Sequence, residues 1–425
     1  SNLGNGQFNI LPISVSERGI PYSSFTMDVD GDGDFDVVNG NGSIGVSILE
    51  NLAISPFKAS GKIYFDLNQN GVFDGADIGT NQFDITSTFA SALIDLDNFG
   101  DYSILYSDSA YGTYQSEPLL TSNWGISSAS QSFQQVINGT YVNQTNNDFG
   151  VYPDVLENDV QVDLTGGFAG CTDYINLWVS TSNQGTTRPT GNFELTLDNG
   201  LIYGNSNFTP DSIVGQTVYW HIDSVFYFTD SVVSLQVATP GAASTGDTLV
   251  STLVSYITDA SGASPQILVD SISQIINCNV PLTDKSGLPS GEGPQGYIDP
   301  STPSIEYLIR FQNSTPNTAE YLSIRDLLDT NLVWSSVEIV SSSHPVSLIF
   351  YPNTQTAIFE FENIQLPSVT SDYTGSKGYL KFKVDIKPNR PFPTVIKNRA
   401  ASYYDGVFTS ETSFTYHTIY NCDSV

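Results

Sequence analysis

Positive charge is the scarcest ingredient of this chain. Its 425 residues hold 14 Lys plus Arg against 45 Asp plus Glu, a net charge of -31. So few cations cannot neutralise a run of phosphates, which excludes nucleic acid as a partner, and they give no basic face to an anionic membrane. Charge of either sign is sparse, at 14% of residues against about 25% in an ordinary soluble domain. The surface is therefore solvated by the hydroxyls and amides of Ser, Thr, Asn and Gln. No run of 18 apolar residues occurs, so no membrane-inserting helix is expected. Three cysteines give no disulfide framework and no metal-thiolate spacing. Cys171 and Cys278 bracket one candidate module and are candidates to pair, which would leave Cys422 over; three buried thiols are the alternative.

Catalytic signatures are missing as well. His221, His344 and His417 have no second His or Cys at ligand spacing, and there is no nucleophile elbow. The acids gather in loops and turns, which gives little support to a paired-carboxylate glycosidase. An enzyme is not expected. With no start Met and no leader, the chain reads as a piece of a longer, processed, secreted protein.

Core material, by contrast, is ample, with 39% hydrophobic and 12% aromatic residues, so the acidity does not imply disorder. Apolar residues alternate with period two, which is the strand signal. Phe193, Leu195 and Leu197 alternate up to the turn Asp198-Asn199-Gly200. Val233, Leu235 and Val237 stop at Pro240; Leu380, Phe382, Val384 and Ile386 stop at Pro388. Ile324 to Leu328 fits one short helical turn. Short strands punctuated by Gly, Pro and Asn predict an all-β chain of sandwich-sized modules. Breaks divide it into residues 1–55, 56–152, 153–279 and 280–425. Only Arg18, Lys58, Lys62 and Arg188 supply positive charge before position 280, so the last module presents a different surface.

Two loops carry the clearest chemistry. In the first, Asp28, Asp30, Asp32 and Asp36 put side-chain oxygens at loop positions 1, 3, 5 and 9, Gly33 takes position 6, and Asp34 offers its backbone carbonyl. In the second, Asp66, Asn68, Asn70, Asp74 and Asp77 stand at positions 1, 3, 5, 9 and 12, with Gly71 at 6. A hard cation that needs six to eight oxygens calls for this spacing, so structural Ca²⁺ is the expected cofactor. Neither loop has helical flanks, so neither is an EF-hand. Asp-Gly repeats also form turns without a metal.

At these residues the chain resembles known families. Ser1 to Phe8, Phe25 to Val38 and Leu49-Glu50-Asn51-Leu52 resemble the FG-GAP/VCBS repeat, which implies part of one β-propeller blade around the first loop. Residues 57–152, through Gly61-Lys62-Ile63-Tyr64-Phe65-Asp66, Phe99-Gly100-Asp101-Tyr102 and Asn147-Asp148-Phe149-Gly150, resemble the B-type repeat of Sdr-like surface proteins. That resemblance implies a prealbumin-like sandwich in a calcium-stiffened stalk. Some relatives carry a Lys–Asn isopeptide bond, for which Lys62, Asn147 and Asp95 would be the counterparts. Residues 153–277 look like an Ig-like surface-repeat module. Residues 280–420, through Asp284-Lys285-Ser286-Gly287, Tyr297-Ile298-Asp299-Pro300, Tyr307 to Asn313, Val395 to Ala401 and Thr415 to Ile419, resemble an Ig-like domain near the C-termini of large Bacteroidota proteins exported by type IX secretion. The run Cys278-Asn279-Val280-Pro281 departs from the Asp-Pro-Asn entry of that family. Seven Asp-Ser/Thr-aliphatic tripeptides resemble the O-glycosylation motif of the same bacteria, with Ser109, Ser212, Ser224, Ser231, Thr248, Ser271 and Ser424 as acceptors; strand-edge Ser beside turn Asp is the plainer reading.

The resulting expectation is a non-catalytic stalk or appendage subunit of an extracellular, cell-surface protein that contacts cells or surfaces. Its partners would be copies or neighbouring modules of the same protein, a surface glycan or a cell-surface receptor. The alternative is a glycan-binding or accessory region of a secreted polysaccharide-degrading enzyme. Tyr297, Trp220, Trp124 and Tyr403-Tyr404 are candidates for a sugar-stacking platform, against the simpler role of core aromatics.

Overall fold

The computed structural model describes residues 23–27, 36–40, 46–49, 58–90, 92–106, 111–138, 143–171, 174–239, 245–258, 265–278 and 282–420. Among these residues there are 33 strands and no helix, and no sheet closes into a barrel. The chain divides into two compact units, Ser1–Glu157 and Asn158–Val425.

The first unit opens with a three-stranded antiparallel sheet, Ser23–Met27, Asp36–Gly40 and Val46–Leu49. Met27 pairs with Asp36, so the first acidic loop joins two paired strands. Residues 28–35 themselves lie outside the described residues. The larger sheet that follows runs in the order Trp124–Ile126, Phe149–Pro153, Lys58–Phe65, Asp101–Leu105, Leu93–Leu96. Its strand Phe149–Pro153 lies parallel to Lys58–Phe65. A smaller sheet, Phe133–Ile137, Gly112–Pro118 and Ile85–Ser87, completes the module. Phe133 of the smaller sheet meets Phe149 of the larger at 6.1 Å between ring centroids. Gly100 is required where it stands: its φ is +79° and a Cβ there would lie 2.1 Å from the Ile63 carbonyl oxygen.

The second unit is built from two sandwiches of one design. In residues 158–278 a four-stranded sheet (Val160–Gly166, Tyr174–Asn183, Asp230–Ala238, Ile202–Ser206) covers a five-stranded one (Ser212–Val214, Thr217–Ile222, Thr190–Thr196, Thr248–Thr258, Gln266–Ile275). Residues 282–420 repeat this in the same order. Thr283–Leu288, Ser304–Gln312, Lys377–Ile386 and Leu332–Ser342 form the four-stranded sheet. Ser347–Tyr351, Thr356–Leu366, Ala319–Leu327, Ala400–Tyr404 and Val407–Glu411 form the five-stranded one, and Thr394–Asn398, Thr415–Ile419 and Tyr297–Ile298 add a small third sheet. Ile175, Leu177, Val179, Leu195, Leu235 and Leu253 fill the first core. Ile305, Tyr307, Ile309, Phe311, Phe359 and Phe382 fill the second.

The two four-stranded sheets are covered on both faces. Residues that alternate with the core positions, Asn176, Trp178 and Ser180 on one sheet and Tyr379 and Lys381 on the other, are buried too. They meet across the junction between the sandwiches. Trp178 packs on Tyr379 at 4.8 Å between centroids. Asp163 accepts hydrogen bonds from Lys381 Nζ and Ser341 Oγ. Arg310 clamps Asp284 with two hydrogen bonds, donates a third to the Gly167 carbonyl at 3.1 Å, and lies over the Phe168 ring. Asn176 Nδ2 donates to the Thr374 carbonyl at 3.0 Å, and Gln236 Nε2 to its hydroxyl at 2.7 Å.

One expectation is corrected here. Ile324 to Leu328 is not a helical turn; it belongs to and follows the strand Ala319–Leu327. Leu322, Ile324 and Asp326 alternate into the core, all at 0% exposure. The period of two is hidden in the sequence because one of its core positions is a carboxylate.

Candidate functional site

In the second acidic loop, short polar side chains wrap on the backbone. Asp66 is buried and accepts the N–H of Asn70 and, at 2.7 Å, that of Gly71. Asp77 accepts the N–H of Leu67 at 3.0 Å and of Asp74 at 2.9 Å. Asn68 and Asn70 both donate Nδ2 to Asp74 Oδ2, at 3.0 and 2.8 Å. Asp74 also accepts the Ala76 N–H, which, with the two amides, holds its pKa below the usual carboxylate range. Gln69 (φ +55°) and Gly71 (φ +77°) supply the left-handed backbone that turns the loop inward. All five predicted ligands are thus brought together. The donor set, three carboxylates and two amide carbonyls, suits a hard cation. Yet the carboxylate oxygens already face N–H donors, and no group of three His, Cys, Asp or Glu among the described residues is arranged to hold a metal ion. In this form the loop is closed by its own hydrogen bonds. Of the first loop's predicted ligands, Asp28, Asp30, Asp32 and Asp34 lie outside the described residues, and Asp36 is described only as the first residue of its strand.

Beside the second loop is an open cleft of about 530 Å³ lined by Lys58, Lys62, Asp95, Asp97, Asp101 and Asp148. Lys62 Nζ binds Asp101 at 2.8 Å and the Phe99 carbonyl at 2.9 Å. Asn147 Nδ2 donates to the Ser60 carbonyl. Lys62 and Asn147 are therefore engaged with separate partners, and Asp95 lines the cleft alongside Lys62. Tyr64, under the loop, has its hydroxyl pushed up to about 12 by burial and then by the surrounding Asp carboxylates.

Cys171 and Cys278 are joined by a disulfide, with Cα atoms 4.8 Å apart; Cys422 lies outside the described residues. Ser212, Ser224, Ser231, Thr248 and Ser271 are all exposed on the first sandwich of the second unit, while Ser109 and Ser424 lie outside the described residues. Asp270, the acid of one tripeptide, is also used structurally: it accepts the Leu164 N–H at 2.7 Å. His221 is exposed and bonds Asn192, whereas His344 and His417 have their pKa lowered by burial. Of the suggested sugar platform, Trp124, Trp220 and Tyr404 are core residues, while Tyr297 is exposed.

Sequence reasoning missed one group. Lys285, Asp326 and Asn398 meet inside the last sandwich, and each is buried. Alternation offers a signal only at Asp326, which takes the core-facing place after Leu322 and Ile324; the strand of Lys285 buries Thr283 and Gly287 beside it and carries no apolar pattern.

Residues 284–417 match the model of a domain of unknown function, DUF7619. No curated protein matches the chain. Among solved structures, the chain is similar to the C-terminal domain of the Streptococcus pyogenes antigen I/II-family protein AspA, at 9% identity over 62% of this chain and 99% of that one, with a TM-score of 0.23. The N-terminal domain of the Streptococcus gordonii adhesin Sgo0707 matches at 10% identity over 94% and 80%, with a TM-score of 0.25. The collagen adhesin of S. aureus matches at 11% identity over 62% and 93%, with a TM-score of 0.21. Likenesses at this level carry no argument about function.

Proposed function

We propose that the chain is a non-catalytic structural and adhesive segment of a large secreted cell-surface protein, working as a stalk or as a subunit of an extracellular appendage. The observation that carries this reading is the docking of two like sandwiches through their four-stranded sheets, with buried hydrogen-bonded charges and a Trp–Tyr contact in place of a linker. On this reading the joint limits the relative motion that independent modules would have, as a load-bearing rod needs. The disulfide suits an oxidising, extracellular compartment. In this reading Ca²⁺ occupies the two acidic loops and replaces the amide–carboxylate contacts of Asp74, and the three-stranded sheet at the start is part of a propeller blade. O-glycans on the exposed acceptors of residues 158–278 add bulk and solubility, and export is by type IX secretion.

The test is light scattering with small-angle scattering on the full chain, in calcium and in chelator. The expected result is an elongated particle, or a regular multimer of one, that becomes more flexible without calcium. A compact globule in both conditions refutes the stalk, and identical curves refute calcium stiffening. A glycan-binding role is the second reading. Trp334 favours it, being 38% exposed and stacked parallel on Phe350 at 4.6 Å. Saturable binding on a glycan array that Trp334→Ala abolishes would support that role over the stalk.

A further inference from the structure

The last sandwich hides an amine, a carboxyl and a carboxamide together in its core. The side chains of Lys285 and Asp326 are fully buried and ion-paired. Lys285 Nζ lies over the ring of Tyr307 at 4.0 Å and that of Phe382 at 5.1 Å, so its other neighbours are aromatic faces. Asn398 is 1% exposed and stands beside Asp326 and Tyr307, close enough to favour the ionised form of each. Its Oδ1 accepts the Arg399 N–H at 2.9 Å. Its Nδ2, together with Asp326 Oδ1 and the Tyr307 hydroxyl, makes no well-formed hydrogen bond. Buried polar atoms left in this way are costly, and each needs a reason.

The neighbouring sandwich shows that the fold does not require them. Asn183 and Asn313 hold matching places at the ends of their strands. Each donates Nδ2 to the carbonyl four residues on, Thr187 at 2.8 Å and Asn317 at 2.9 Å, and to a second buried carbonyl, Val225 or Leu366. Asp198 and Asp329 open matching turns, and their carboxylates accept the N–H of Val250 and Lys397, each at 2.9 Å. Counting along the paired strands from these anchors puts Leu164 at the place of Lys285, Leu195 at that of Asp326 and Ser251 at that of Asn398. The aromatic walls Tyr307 and Phe382 become Leu177 and Leu235. The same sandwich therefore folds with leucines in place of the amine and the acid, and with a serine hydroxyl that accepts the Asp198 N–H in place of the amide. A buried ion pair is weak evidence for stability, since apolar side chains of similar volume commonly do as well. The triad calls for a chemical explanation.

We propose that Lys285 and Asn398 are joined by an intramolecular isopeptide bond, formed with Asp326 as the acid–base group. Burial lowers the pKa of Lys285 and raises that of Asp326, each opposed by the other's charge, and so favours the neutral amine and the protonated acid. Neutral Nζ is the nucleophile and Cγ of Asn398 the electrophile. As the Nζ–Cγ bond forms, charge grows on Oδ1, where the Arg399 N–H already donates. Asp326 gives its proton to Nδ2 and takes one from Nζ. The Cγ–Nδ2 bond breaks and ammonia leaves. No electrons are transferred and no co-reactant is used. The bond ties the first strand of the four-stranded sheet, Thr283–Leu288, to the strand Thr394–Asn398.

Intact-mass analysis of the reduced, denatured full chain tests this. The expected mass is below the sequence value by one ammonia, about 17 Da, the leaving group of this acyl transfer. A protease digest is then expected to hold one branched peptide containing Lys285 and Asn398. Asp326→Asn, close in shape but without the acid, is expected to restore the full mass and the two linear peptides. The full sequence mass in the folded wild-type chain overturns the proposal. So does a mass deficit that maps to Lys62 and Asn147, or one that persists in Asp326→Asn. If that variant fails to fold, the wild-type mass and peptide map decide by themselves.

Discussion

The two sandwiches of the second unit share strand order, a keystone Asn and an Asp turn, yet they fill the same interior place in opposite ways. Residues 158–278 use Leu164, Leu195 and Ser251 there, and tie the connection after their first strand to their last residue with the disulfide from Cys171 to Cys278. Residues 282–420 use Lys285, Asp326 and Asn398 between aromatic walls, and hold no disulfide among the described residues. The difference teaches that strand order and the outline of the core specify the fold, while the polarity of a few core positions is free to serve another end. In both sandwiches that end is the same on our reading: one covalent tie per module, a disulfide in one and an amide in the other. An amide tie resists reduction, which suits a module that carries load outside the cell.

Four experiments sharpen or break the comparison. The largest effect is expected from Asp326→Ala. It leaves the uncross-linked Lys285 amine buried without its carboxyl partner, and removing one member of a buried pair costs about 3–5 kcal/mol. Loss of the cross-link adds to this, since closing a loop of about 100 residues is worth about 4.7 kcal/mol in the chain-entropy model. Denaturant melts would read the sum. Installing the neighbour's set, Lys285→Leu with Asp326→Leu and Asn398→Ser, is expected to regain the part due to the unpartnered amine and none of the part due to the tie. Next comes the disulfide: Cys278→Ser is expected to lower stability by about 2–5 kcal/mol, with hydrogen exchange rising in residues 158–278 first. Third are the keystones. Asn183→Ala and Asn313→Ala each remove the side-chain donor to one buried carbonyl, Val225 or Leu366, at about 1–3 kcal/mol, and the two variants should fall alike; unequal losses would break the equivalence of the modules.

The smallest effect is expected from acid. Burial lowers the folded-state pKa of His344 and His417, both in the last sandwich. Their contribution to stability is complete above the unfolded value of about 6.5 and is lost as pH falls through it toward the folded values. His221, in the other sandwich, is exposed. Hydrogen exchange at pH 7 and pH 5.5 is expected to loosen residues 282–420 more than residues 158–278.

The class of the fold was legible because β structure writes itself in alternation. Phe193, Leu195 and Leu197, or Leu380, Phe382 and Val384, declare both strand and buried face without reference to anything distant. The acidic loop at residues 66–77 was legible for a similar reason: its carboxylates and amides are neighbours in the chain, and local spacing is enough to bring them together. Two things were not legible. One is the covered face of the four-stranded sheets. Asn176, Trp178 and Ser180 read as the solvated side of a strand, and only a second sandwich laid against them makes them interior. The other is the triad. Lys285, Asp326 and Asn398 lie on three separate strands, and even where alternation marks Asp326 as core-facing, nothing local says that the other two meet it.

Sequence by itself thus determined the all-β architecture, the acidic and weakly charged surface, and the gathering of the second loop's polar residues. All of these depend on composition or on residues close in the chain. Tertiary structure alone decided which polar residues are interior, that the last two modules form one compact unit, and that an amine, an acid and an amide far apart in sequence share one dry space. Burial and proximity are properties of packed layers. A strand carries the instruction for its own two faces, but what lies against each face is set by chain that returns from far away.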